Sequence, residues 1–364
     1  MNTGKEKKSF LEHTGVQTVA ASLICIILGL LVGFIVLLFI NPAGAGRALL
    51  AILQNFLYFP RPEVALEYFG STLAKTAPLL MCTLSILFAY KVGLFNIGAS
   101  GQYAVGAGLS LYLALAFQMP WYVCVLAAMI GGAVLGGIAG ALKAYLNVNE
   151  VIAGIMLNWI SLYSINMLLT NVKESSTTYT MALRTNSPGA LLPSLGLGQL
   201  FSGNKYVTIA IPLAVLIAIC VWIVMEKTKL GYELKATGLN RNAARYAGMR
   251  EKRNMILTMV ISGALSGLGA SFLYLSGIEQ WSCAQTAVPA MGFNGIAAAF
   301  LGGLHPIGSI FSAFFIQHIT SGGSYVDKMV YCSQISDLIA AIIIYFCSFV
   351  LFFKHCMSRK LKKS

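Results

Sequence analysis

Ten long apolar runs, separated by short polar stretches, constrain this chain more than any other feature. They cover about residues 16–40, 71–90, 97–117, 121–142, 151–170, 206–225, 255–277, 289–304, 307–321 and 334–353. A helix needs about 20 apolar residues to cross the hydrocarbon of a bilayer. Water is absent there, so each crossing segment must satisfy its own backbone hydrogen bonds. The expected fold is therefore an all-α polytopic membrane protein of about ten transmembrane helices. Composition agrees: 57% of the 364 residues are hydrophobic and 10% are charged, against about 25% charged in soluble domains, and the mean hydropathy is +0.77.

The net charge of +13 is explained by its distribution without nucleic acid. With the amino terminus inside and ten crossings, the inner loops and tails hold Lys5, Lys7, Lys8, Lys91, Lys143, eight residues of the 226–254 loop, Lys354, Arg359, Lys360, Lys362 and Lys363, which is eighteen of the 25 Lys and Arg. Arg47, Arg61, Lys75, Lys173, Arg184, Lys205 and Lys328 fall outside. Positive charge concentrates on the cytoplasmic side of membrane proteins, so both termini are expected in the cytoplasm. The first run exceeds a secretory h-region in length and reads as a retained span. The eight Cys show no metal spacing; Cys283 and Cys332 alone fall in regions expected outside, and pairing between them is left open.

No nucleotide-binding, zinc-protease or serine-hydrolase motif occurs, so the chain reads as a non-enzyme that binds no cofactor of its own. Glu150, Glu279, Asp327 and Asp337 sit at the ends of runs, whereas ion-coupled carriers bury such groups inside the membrane. The 36 Gly form small-xxx-small rows, Gly29/Gly33, Gly132/Gly136/Gly140 and Gly263/Gly267, that let helices approach closely.

Two Gly-interrupted segments differ in kind: Gly93-Leu-Phe-Asn-Ile-Gly-Ala-Ser-Gly-Gln102 and Met291-Gly-Phe-Asn-Gly295 onward to Gly308. Each sets Phe-Asn beside Gly at the entrance to a run. With ten crossings, runs two to five start outside and runs seven to ten start inside, so residues 71–170 and 255–353 would be two inverted four-helix units. An N-terminal helix in 16–70 and a linking helix between 206 and 225 complete the chain. Broken segments in matching places of inverted repeats point to a translocation route. Phe95, Asn96, Gln102, Phe293 and Asn294 are its candidate residues, with amides that suit a neutral polar solute. Asn158 reads as interhelical glue or as pore lining. Trp159 reads as a membrane-interface anchor, like Trp121, Trp222 and Trp281, or as a stacking platform. Asn149 or Glu150 is expected to cap the helix of the fifth run. The outer segment 171–205 is either a landing surface for a partner or a solvated loop.

The charged loop 226–254 carries eight Lys/Arg and three Glu. Its Ala-rich piece from Asn240 to Met249, between Gly238 and Gly248, is expected to form a short helix that docks in a partner's groove.

Four motifs in order carry a family resemblance: Leu94-Phe-Asn-Ile-Gly-Ala-Ser-Gly-Gln102, Asn149-Glu-Val-Ile-Ala-Gly-Ile-Met-Leu-Asn158, Gly231-Tyr-Glu-Leu-Lys-Ala-Thr-Gly-Leu-Asn-Arg-Asn-Ala-Ala-Arg-Tyr-Ala-Gly248 and Gly292-Phe-Asn-Gly-Ile-Ala-Ala-Ala-Phe-Leu-Gly-Gly303. From about Ser71 onward the chain resembles permease subunits of bacterial ABC importers of the ribose and branched-chain amino acid superfamily, in its nucleoside branch. The resemblance implies import of a neutral polar solute, with a sugar or branched-chain amino acid as the alternative. An ion-coupled carrier is the rival from another class. It implies ATPase subunits holding ATP and Mg, with Gly238, Asn240, Ala243, Ala244, Arg245 and Gly248 of this chain seated in their cleft. A second related permease, a solute-binding lipoprotein outside and a location in the bacterial plasma membrane are also implied. The family commonly has an acid where Ser100 stands and Asp where Asn294 stands, so the route here is more neutral.

Overall fold

The computed structural model describes residues 14–327, 330–331, 335–347, 349–350, 352–353 and 355–356. Lys5, Lys7, Lys8, Lys328, Cys332, Lys354, Arg359, Lys360, Lys362 and Lys363 lie outside the described residues, and with them the Cys283/Cys332 question. Fourteen α-helices are described: α1 (Thr14–Ile40), α2 (Ala45–Gln54), α3 (Pro62–Lys91), α4 (Ala99–Ala116), α5 (Trp121–Leu146), α6 (Glu150–Leu169), α7 (Leu183–Asn186), α8 (Ala210–Lys227), α9 (Lys229–Leu239), α10 (Arg241–Tyr246), α11 (Glu251–Tyr274), α12 (Ala290–Leu301), α13 (Pro306–Gly322) and α14 (Ile335–Cys347). No strand occurs among the described residues beyond two isolated bridges. The all-α polytopic expectation holds.

Every expected run contains a helix, but six helices, α1, α3, α5, α6, α8 and α11, are long and apolar enough to cross a membrane by themselves. At 12 residues, α12 is about 18 Å long and shorter than the hydrocarbon layer. Two differences from the sequence reading concern residues 41–70. α3 begins at Pro62, well before the apolar run at 71, because a proline at the first helical position after extended Arg61 starts the helix while Glu63 and Glu67 are still polar. Residues 45–54, expected as outer loop, form α2, which buries Ala45, Ala48, Ala51 and Ile52 along one face. Ten residues cannot span, so a search for long apolar runs passes over this amphipathic helix.

α3 and α11 are the most enclosed of the six. α5 lies directly on α11: the carbonyls of Gly263 and Met259 stand where a Cβ on Gly132 or Gly136 would be, and the Gly132 carbonyl stands where one on Gly263 would be. The opposite face of α5 exposes Tyr122, Leu126, Ile130, Val134 and Ile138, a stripe suited to lipid. Gly106 of α4 meets Gly267 of α11, and Gly295 of α12 meets Cys82 and Thr83 of α3. The first helix of each expected unit thus packs on the second helix of the other. α1 stands at the edge, its Gly29 and Gly33 against Ile343 and Ile339 of α14.

Residues 171–205, expected outside, are ordered against the α11–α12 connection. Thr180 N–H donates to the Trp281 carbonyl at 2.9 Å, Cys283 N–H to Thr178 at 2.8 Å and Leu192 N–H to Leu275 at 2.9 Å. Trp281, expected at the membrane interface, is instead 1% exposed, and its indole donates to Asn166 at 2.9 Å. A buried indole N–H needs such a partner.

The α5–α11 contact yields the first prediction. Gly136→Ala or Gly263→Ala should destabilise the detergent-solubilised protein by about 1–3 kcal/mol, the usual scale of overpacking. Gly46→Ala, at a position with nothing within 4 Å, should not. Thermal unfolding followed by size-exclusion chromatography measures both; equal melting of all three variants would reject the contact as a stability determinant.

Candidate translocation pathway and docking face

Between α3 and α4 the backbone turns through residues 92–98, with Gly93 at φ +75°. Asn96, in that turn, donates through Nδ2 to Gln102 Oε1 at 2.8 Å and to Ser262 Oγ at 2.7 Å. Gln102 returns a bond from Nε2 to Asn96 Oδ1 at 3.1 Å. Ser262 donates to the Ser85 carbonyl at 2.7 Å and lies 2.9 Å from Ser85 Oγ. Asn158 of α6 accepts from Gly101 N–H at 2.7 Å and donates to the Ile97 carbonyl at 3.0 Å. Buried amides need these partners, and the result ties α3, α4, α6 and α11 around one unwound turn. Asn158 is thus engaged as interhelical glue.

The remaining route candidates sit apart from this network. Phe95 is half-buried, its ring 6.4 Å from Tyr90, which in turn lies 5.2 Å from Phe300. Phe293 and Asn294 lie in the first turns of α12, which starts directly after Pro289. Phe293 is 40% exposed. Asn294 is half-buried and makes no hydrogen bond to the described chain. Trp159 is 41% exposed, stacked on Tyr163 at 6.1 Å, on the outward face of α6 with Met156, Ile160 and Met167.

Charges stay at the ends. Asn149 caps α6, accepting from Val151 N–H at 2.9 Å, which leaves Glu150 to pair with Lys143 at 2.7 Å. Glu279 pairs with Lys75 at 3.2 Å. Among the described residues, the buried polar side chains are Asn, Gln, Ser and Thr, with no Asp, Glu, Lys, Arg or His.

At the other end, Glu226 bridges Lys91 at 2.7 Å and Lys235 at 2.9 Å. Asn240 caps α10 by accepting from Ala243 N–H at 3.0 Å. Gly248, at φ +80°, closes it: Gly248 N–H reaches the Arg245 carbonyl and Met249 N–H the Ala244 carbonyl, both at 3.0 Å, the glycine-terminated end expected of such a helix. Asn240, Ala243, Arg245 and Gly248 are exposed, but Ala244 is buried. Gly238 lies against the Val92 carbonyl and Gly93, so it seats α9 on the end of α3. Two residues absent from the sequence reading dominate the exposed face: Leu239 is 88% and Tyr246 93% exposed. An apolar side chain in a charged loop was the available signal.

The model for the family described as Branched-chain amino acid transport system / permease component matches residues 68–348. The guanosine ABC transporter permease protein NupP of Bacillus subtilis is 33% identical over 89% of this chain and 91% of its own. The nucleoside ABC transporter permease protein NupB of Lactococcus lactis is 33% identical over 91% of this chain and 90% of its own. The guanosine ABC transporter permease protein NupQ of Bacillus subtilis is 28% identical over 67% of this chain and 78% of its own. No solved structure matches the chain.

Network and free amide should respond differently to truncation. Asn96→Ala leaves Gln102 and Ser262 short of partners and should cost about 1–3 kcal/mol, whereas Asn294→Ala should leave the melting temperature unchanged. A thermal-shift comparison decides, and a loss of stability in Asn294→Ala would contradict the unbonded placement.

Proposed function

The chain belongs to the family described as Branched-chain amino acid transport system / permease component, and from that premise we propose that it is the membrane-spanning permease subunit of an ABC importer for nucleosides. The observation that carries the reading is the 33% identity to two nucleoside or guanosine permeases over about nine-tenths of each chain. The wholly neutral set of buried polar side chains supports an uncharged polar solute. It also speaks against an ion-coupled carrier, which needs ionisable groups in its membrane interior.

In this proposal the chain itself catalyses nothing. ATP and Mg are held by partner ATPase subunits, and α10 docks on them through Ala243 and Tyr246 together with Leu239 at the end of α9. Two relatives of this chain, NupP and NupQ, are different guanosine permease proteins of one organism, which supports pairing with a second, related permease. An extracytoplasmic solute-binding lipoprotein would deliver the solute to the ordered outer face, with both termini in the cytoplasm of a bacterial plasma membrane. Phe95, Phe293, Asn294 and the Asn96 network line or control the route, and Trp159 faces lipid or the second permease.

Docking couples to the route through short contacts. α9 rests on Val92–Gly93 through Gly238 and is tied to α3 through Lys235, Glu226 and Lys91. Asn254 Nδ2 donates to Thr237 Oγ1 at 2.9 Å, joining α9 to α11. Asn96 stands three residues beyond Gly93 in the same turn. In this proposal a displacement of α10 reaches the Asn96 network along this chain of packed contacts.

Two expected outcomes follow. Cells expressing the chain with its partner subunits should take up radiolabelled uridine or guanosine in an ATP-dependent way; uptake that persists after ATP depletion would overturn the importer reading. Leu239→Ala with Tyr246→Ala should lower that uptake at least tenfold while the protein reaches the membrane in normal amount. Unchanged uptake in the double variant would remove α10 as the docking element.

A further inference from the structure

One face of α4 carries two hydroxyls, a turn apart, that the folded chain leaves without partners. Ser100 is 0% and Tyr103 1% exposed, and neither side-chain oxygen makes a hydrogen bond. The contrast is local. Asn96, Gln102, Ser85, Ser262 and Ser266, all within the same helix junction, are bonded, Ser266 donating to the Ala99 carbonyl at 2.7 Å. Burying a hydroxyl unpaired costs free energy that a polar guest would return.

The surroundings of the pair are aromatic and hinged. The Tyr103 ring lies 6.3 Å from Tyr274, and Tyr274 lies 5.7 Å from Trp281, whose backbone is held by Thr180. This ladder sits beneath the ordered outer cap. On the other side Gly292 of α12 is set against Ser100 so closely that a Cβ would meet Ser100 Oγ and backbone. α12 is short, follows Pro289, and ends in a turn where Gly303 and Leu304 both have positive φ. A short helix between two such ends can shift as a unit, and its move away from α4 would uncover Ser100, one turn from Tyr103 on the same face.

We propose that Ser100 and Tyr103 are solute-contacting hydroxyls of the passage, Ser100 being covered by α12 in this conformation, with the Tyr103 and Tyr274 rings offering a stacking face. The solute class that fits is a planar heteroaromatic ring bearing neutral donors and acceptors, such as a nucleobase. Aromatic faces take such rings and hydroxyls serve as donor or acceptor. An ion would find no counter-charge there, because the nearby acid, Glu279 on the outer connection, is engaged with Lys75. This inference rests on the importer reading above and adds the residues that meet the cargo.

The test uses the full importer with Ser100→Ala, Tyr103→Phe and Ser100→Cys. The first two should each raise the apparent KM for uridine about tenfold, while the melting temperature stays level or rises, since an unpaired buried hydroxyl has been removed. A structural role alone would leave KM unchanged, and KM within twofold of wild type in both variants overturns the proposal. In the third, a small thiol reagent should modify the new cysteine faster during ATP turnover than at rest, measured against the background of the native cysteines. Equal rates in the two states also overturn it. If the wild type carries no nucleoside, the nucleoside assignment falls, and the cysteine measurement by itself decides whether Ser100 lines the route.

Discussion

The close approach of α5 to α11 is the contact on which the rest of the molecule depends. Gly132 and Gly136 face Gly263, Gly267 and the Met259 backbone with no side chain between them, and Gly140 lies against the Ile256 backbone and the Met259 side chain. In a membrane, apolar side chains gain little by leaving lipid for protein, so association rests on tight van der Waals packing and weak Cα–H···O contacts, both of which need backbones to meet. With α11 held this way, its other faces are free for α3 and α4. Ser262 and Ser266 then come within bonding distance of the turn that precedes α4.

That turn concentrates the polar interior of the protein. An unwound backbone at membrane depth is tolerated only where protein or a water-lined cavity satisfies it, and here Asn158, Asn96, Gln102 and the serines of α3 and α11 do so. The same groups make the interior neutral. Hydrogen bonding without charge holds helices together and, among the described residues, buries no Asp, Glu, Lys, Arg or His side chain, which is the electrostatic setting a nucleoside would need. Ser100 and Tyr103 break the pattern of satisfaction, and they do so where α12 begins.

The end that carries α9 and α10 shows how a charged loop is mounted on an apolar body. Residues 228–254 are not a tether: Gly231 packs on the carbonyls of Val224 and Met225, Gly238 on Val92, and Glu226 joins two lysines from different helices. Ala244 turns inward, whereas Leu239 and Tyr246 turn outward. These contacts join α9 to the end of α3 through close-packed backbone, which has low compressibility.

Much of this was legible in the residues. Apolar runs gave the helices, Gly spacing marked the faces of α5 and α11 that meet, and Asn240 with Gly248 delimited α10, because these signals are local: hydropathy, side-chain size and capping chemistry act within a few residues. Where partners come from distant parts of the chain, local pattern was silent. The burial of Trp281 depends on Asn166 and Thr180, the inward turn of Gly238 on Val92, and the folding of α2 on a surface built by residues near 322. Asn96, Asn158 and Asn294 look alike as asparagines beside glycine or in apolar sequence; tertiary packing engages the first two in bonds and leaves the third open. By itself the sequence determined that the chain crosses a membrane as helices with a neutral interior, since hydropathy and charge are properties of residues. Only the tertiary structure decided which amides are spent and which hydroxyls are left unpaired, since a hydrogen bond is a property of two groups brought together by the fold.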